Sequence, residues 1–279
     1  MLYTEAKTAA VNFPVPPVTP LDKLKLAAAY LSLKKALRNS ARYGVGWGLF
    51  SVAMGVISRP QTLSGYVWFA LGLLLLMQGV WILGARAIDP RMLLSEAFVL
   101  LTLGLWNTAG IYLTARMGGR PILGGHAFLW GILQLLSAFP TYKSYAAYQL
   151  ICRHLDAALV EELEEVTRGL WKSKPGGISD VVVLKKPAVL GSGERLVVKL
   201  MPEYLVLLHD KGRALRISGK SEVVVTSVLK KLASRSLKFA FSFDGEEFKT
   251  EIKPADLERL KTWVPLAFQG VGQLPLAEG

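Results

Sequence analysis

The chain has 279 residues, 52% of them apolar, with a mean hydropathy of +0.35 and a net charge of +12 from 33 Lys and Arg against 21 Asp and Glu. Such a composition segregates long apolar stretches from basic ones, which is the profile of a membrane protein and not of an ordinary soluble one. The one cysteine, Cys152, excludes an intrachain disulfide.

Residues 1–19 hold FPVPPVTP, a Pro-rich arm without helical periodicity. Residues 20–42 read as an amphipathic juxtamembrane helix with Leu26, Tyr30, Leu33, Leu37 and Ala41 on one stripe. Its basic residues Lys23, Lys25, Lys34, Lys35, Arg38 and Arg42 are expected to meet anionic lipid or a neighbouring helix.

A membrane domain of four spans follows over 43–139, at about 43–58, 66–85, 97–115 and 122–139. The second, around LGLLLLMQGVWILG, carries no charge across about 20 residues, enough to cross a hydrocarbon core of about 30 Å. Arg59-Pro60, Asp89-Pro90 and Gly118-Gly119-Arg120-Pro121 break the runs. Some forty residues precede Tyr43, too many for the basic region of a signal peptide. Lys34, Lys35, Arg38, Arg42, Arg86, Arg91, Lys143 and Arg153 outnumber Arg59, Arg116 and Arg120 near the span ends, so both termini are expected in the cytoplasm of a cell with this chain in its inner membrane.

Within the spans the expected polar layer is Gln78, Thr102, Asn107 and Gln134, hydrogen-bonding between helices at about 0.6 kcal/mol each. No Asp, Glu, Lys or Arg falls inside a span so drawn, which argues against an ion-coupled carrier. Gly44, Gly48, Ser51 and Gly55 form a small stripe on the first span, and Gly65, Gly72 and Gly79 recur every seven residues on the second. Both predict close helix packing.

Residues 140–171 continue as an amphipathic helix bearing Tyr148, Ile151, Leu155, Leu159, Leu163, Val166 and Leu170, and KSKPGG at 172–177 is a linker. The domain 178–279 is β-rich and of α+β class: VVVLKK, RLVVKLM, EYLVLLH and RALRIS are strand-like, and Asp244-Gly245 marks a hairpin between LKFAFSF and EFKTEI. Ser221 to Ala233 reads as a helix through Val225, Val228, Leu229 and Leu232, with a strand as the alternative, and Pro254 opens a last helix.

The stretch LKFAFSFDGEEFKTEIKPADLERLKTWV, 237–264, resembles the bacterial pleckstrin-homology-like and GRAM-like modules, about a third of the chain being covered. The resemblance implies a binding or assembly module.

His126, His154 and His209 lie apart, with no metal-ligand spacing, and no nucleophile or phosphate-loop motif is present. No cofactor, metal or catalytic residue is therefore expected, and no nucleic-acid partner. The reading is a polytopic α-helical membrane protein of four spans with a C-terminal cytoplasmic α+β domain: a non-catalytic binding, assembly or sensing component, forming a homo-oligomer or joining a membrane complex. A small oligomeric transporter or channel is the alternative, and a membrane-anchored enzyme the third.

Overall fold

The computed structural model describes residues 19–57, 63–116, 124–172, 180–185, 195–209, 214–230 and 236–270. The Pro-rich arm up to residue 18, the connectors at 59–60 and 118–121, the linker at 173–177, the Asp210-Lys211-Gly212 turn and the side chain of His126 lie outside the described residues. Among the described residues two compact units are present: Leu33–His154, and residues 19–32 together with Leu155 onward.

Helix α1 (Pro20–Ile57) starts at a capping box. The Asp22 N–H donates to Thr19 Oγ1 and the Thr19 N–H donates to the Asp22 carboxylate, both at 3.1 Å, with Pro20 in the first turn, where its missing N–H costs nothing. The helical unit continues with α2 (Leu63–Gly84), α3 (Arg91–Leu105), a π-helical turn (Trp106–Gly110), α4 (Ile111–Arg116) and α5 (Gly124–Arg153).

The expected glycine stripes face each other. A Cβ on Gly72 would lie 2.7 Å from Val52 N and 2.8 Å from Gly48 O, and one on Gly55 would lie 3.0 Å from Gly65 O. One on Gly79 would meet the Val45 side chain at 2.5 Å, whereas at Gly44 the nearest atom is 4.0 Å away. Without side chains at these positions α1 and α2 approach backbone to backbone. Gly104 on α3 and Gly131 on α5 repeat the device, a Cβ on Gly104 lying 3.0 Å from Gly131 O.

The four-span expectation is corrected. Among the described residues two helices are long and apolar enough to cross a membrane, Gly65–Gly84 and Arg91–Gly110. The 43–58 segment is only the last part of α1, and lengthening it backward takes in Arg42, Asn39 and Arg38. The 122–139 segment opens α5 with Gly124, Gly125 and His126, carries Gln134 and Ser137, and runs into Pro140 and Lys143. Neither sustains an apolar run of about 20 residues.

In the strand-rich unit, β1 (Val181–Lys185), β2 (Arg195–Leu200), β3 (Tyr204–His209), β4 (Ala214–Gly219), β5 (Val224–Lys230), β6 (Leu237–Phe243) and β7 (Glu246–Ile252) form one antiparallel sheet in the order β4-β3-β2-β1-β7-β6-β5. Its inner face buries Val182, Leu184, Leu196, Leu207, Phe239 and Phe243, and α7 (Pro254–Trp263) inserts Leu257 and Leu260 into the same core. Asp244 and Gly245 both take positive φ, 52° and 77°, the conformation a two-residue hairpin turn needs to match strand twist. The segment read as a helix from Ser221 is instead a 3₁₀ turn (Lys220–Glu222) followed by β5. The first part of α1 belongs to this unit: Ser32 Oγ accepts the Leu215 N–H at 3.0 Å, satisfying a donor on the edge strand β4. Helix α6 (Ala157–Lys172) buries Leu163 and Leu170, and a cavity of about 280 Å³ lies between its Val166 and Gly169 and residues Val181 and Lys199.

Candidate functional site

The helical unit carries a cavity of about 380 Å³ that is open on one side. Its wall is apolar on one part, through Leu75, Val99, Leu100 and Leu103, and aromatic on another, through Tyr43, Trp47, Trp68 and Trp130. The polar groups on it are few and paired. Glu96 of α3 is 7% exposed; its Oε2 accepts from Gln78 Nε2 of α2 and its Oε1 from Ser40 Oγ of α1, both at 2.6 Å. A second pair lies further along, where Asn107 Nδ2 donates to Gln134 Oε1 at 2.9 Å. Mostly apolar walls with a few convergent polar groups are the usual makeup of a small-molecule site.

The local sequence explains the placement. Glu96 stands one turn into the apolar run of α3, so its backbone is held by the helix while the side chain reaches two neighbouring helices. Asn107 lies in the π-helical turn, whose wider geometry is frequent at functional sites. Gly79, also on the wall, leaves room that a side chain would fill.

Three of the four residues expected in the polar layer line this cavity: Gln78, Asn107 and Gln134. Thr102 does not join them; its hydroxyl donates to Phe98 O on its own helix at 2.8 Å. The residue the sequence reading missed is Glu96. With the third span drawn from Ala97, its carboxylate fell just outside, and the spans were counted as free of charge. The signal was available in that Glu96 sits three residues ahead of Val99 within an apolar stretch, with Gln78 as the lone amide of the neighbouring run.

The basic residues of α1 do not form one lipid-facing row. Lys23 and Arg42 are exposed. Arg38 donates to Ala85 O at 3.0 Å, next to the end of α2, where a cation complements the helix C-terminus. Lys35 is half-buried, and desolvation together with Arg42 lowers its pKa from the usual lysine value. Lys34 also has an interaction partner. Lys25 is held between two carboxylates, Asp244 at 2.7 Å and Glu222 at 3.3 Å. Desolvation pulls its pKa down, but the hydrogen bond and charge of Asp244, aided by Glu222, carry it above the ordinary lysine value. Cys152 is no activated nucleophile: burial and the Asp89 charge push its thiol pKa up.

No family model matches the chain. No curated protein matches it significantly. Among solved structures it is similar to the DH/PH domains of p115-RhoGEF, at 12% identity over 93% of this chain and 97% of that one, TM-score 0.23. An N-terminally truncated linker-DH/PH form of the same protein gives 12%, 90%, 97% and 0.21, and autoinhibited Vav1 gives 9%, 97%, 61% and 0.22. Likenesses this slight carry no argument.

Proposed function

We propose that the protein is a non-catalytic membrane protein that holds a small molecule in the Glu96 cavity and presents its strand-rich unit as a pleckstrin-homology-like binding or assembly module. The observation that carries this reading is the cavity: a mostly apolar space with a tethered carboxylate and an amide pair.

Membrane embedding is supported by the two apolar helices, which are only 33% and 39% buried within the chain, where the core helix of a soluble protein would be mostly buried. Leu73, Met77, Val80 and Trp81 of α2 and Phe98, Leu101 and Leu105 of α3 face outward. An apolar exterior on this scale marks a surface made for lipid or another apolar partner. The module reading is supported by the strand order and by the C-terminal helix seated in the sheet core. The carboxylate in the cavity also favours a second reading, a transporter, because intramembrane ionisable groups mark substrate paths.

The test has two parts. Membranes carrying the chain are washed with alkaline carbonate, and the chain stays in the pellet. The protein is then purified in lipid nanodiscs and its bound small molecules read by native mass spectrometry, beside Leu100→Trp, which fills the cavity. Bound mass is present in the parent and lost in the variant. Release by carbonate sinks the membrane reading, and equal masses in both proteins sink the cavity reading.

A further inference from the structure

The helical cavity joins one carboxylate to four aromatic rings, and that pairing narrows the chemistry it can accept. Both Glu96 oxygens take hydrogen bonds from neutral donors, Ser40 and Gln78, and among the described residues no Lys or Arg pairs with it. With no cation of the chain beside it, a negative charge on this carboxylate would be offset by a bound cation. Tyr43, Trp47, Trp68 and Trp130 line the same space, and electron-rich ring faces attract cations, tryptophan most strongly.

The route of entry points the same way. Tyr43, Trp47 and Trp130 are each more than half exposed on the outer surface while also lining the cavity, so the cavity opens through the apolar exterior. A strongly hydrated ion does not travel through such an opening, whereas an organic cation with apolar substituents does.

We infer that this cavity is a binding site for lipophilic organic cations of the tertiary or quaternary ammonium class, with Glu96 as counter-charge and the tryptophans as a cation-π wall. The inference rests on the proposed small-molecule site and adds its charge selectivity.

The test uses two probes of nearly the same shape, phenyltrimethylammonium and the neutral tert-butylbenzene, titrated into the whole chain in nanodiscs and read by tryptophan emission and calorimetry. The cation binds about tenfold or more tightly than its neutral counterpart. Glu96→Gln abolishes that preference. Trp130→Leu lowers affinity for the cation more than for tert-butylbenzene, by about threefold or more. Equal affinity of the two probes for the parent protein overturns the charge selectivity while leaving the cavity reading intact. So does a cation affinity unchanged in both variants. Binding of neither probe overturns the small-molecule site itself.

Discussion

The two units of this chain treat their large apolar side chains in opposite ways. In the strand-rich unit Phe239, Phe241 and Phe243 are at most 3% exposed, and from Val181 onward Val224, Leu229 and Leu266 are the large apolar residues left open among the described ones. In the helical unit Trp47, Phe50, Tyr66, Met77, Trp81, Phe98, Leu113, Leu136 and Phe139 all face outward, while glycines, a serine and a hydrogen-bonded carboxylate share its inside with Leu37, Ile82 and Leu93. One unit is organised by exclusion of apolar surface from its exterior; the other adds close backbone approach and paired polar groups to its buried leucines. On the proposed membrane reading that difference belongs to the solvent as much as to the sequence, because lipid gives helices no hydrophobic reason to associate.

The contrast is broken most directly by truncating one large residue in each unit. Phe239→Ala should cost the strand-rich unit about 3–5 kcal/mol, read as lost hydrogen-exchange protection across β5 to β7. Leu136→Ala, at a residue 66% exposed, should shift the unfolding of the protein in lipid by less than about 0.5 kcal/mol. A large loss at Leu136 would show that an apolar partner is packed there.

Glycine substitutions in α1 sharpen the picture of the helical unit. Gly48→Ala places a methyl 3.0 Å from Gly72 O and should destabilise by about 1–3 kcal/mol. Gly46→Ala meets nothing within 4 Å, so the same change two residues away should stabilise by up to about 1 kcal/mol through helix propensity. Equal signs in a thermal-shift measurement would dissolve the interlocked-glycine account.

Gln78→Leu leaves one Glu96 oxygen without its donor and should cost about 1–3 kcal/mol, largely recovered in the double variant with Glu96→Leu. Thr102→Val, whose hydroxyl serves only its own helix, should stay within about 0.5 kcal/mol. Additive losses in the Gln78 and Glu96 double-mutant cycle would mean the pair is not coupled.

The smallest effect is set by pH. Because its folded pKa is raised, Lys25 contributes stability that is fully present below its unfolded value of about 10.5 and is lost as pH rises through the higher folded value. The difference in stability between the parent and Lys25→Met should therefore hold from neutral pH to about 10 and fade as pH rises further through the folded value. Its size should be about 1 kcal/mol at most, since Asp244 and Glu222 are both partly solvated. A difference that grows with pH would assign the wrong partner.

How much of this was legible in the sequence depended on whether local pattern and tertiary role agreed. The six runs rich in Val, Leu and Phe lie on the six strands β1 to β4, β6 and β7, and Asp244-Gly245 carried its own turn geometry. The β5 segment misled because a bulge between Val225 and Ser227 shifts its register. Val225 and Val228, three residues apart, consequently both face the core at 2% and 3% exposure, imitating the spacing of a helix. In the helical unit the glycine stripes were readable but their mutual contact was not, since nothing local says which helix lies opposite. Glu96 was hidden because a charge near a span end is ordinarily assigned to the interface, and only its contacts with Ser40 and Gln78 draw it inward.

The π-helical turn at Trp106–Gly110 gives this helix a slack that an unbroken α-helix lacks. Such a turn closes each hydrogen bond one residue later than an α-turn does, so it stores a single surplus residue. Deleting Thr108 would let the backbone relax into unbroken α-helix while Tyr112 and Leu113 keep the face they now present. A deletion with no surplus to draw on would instead swing all that follows by about 100°.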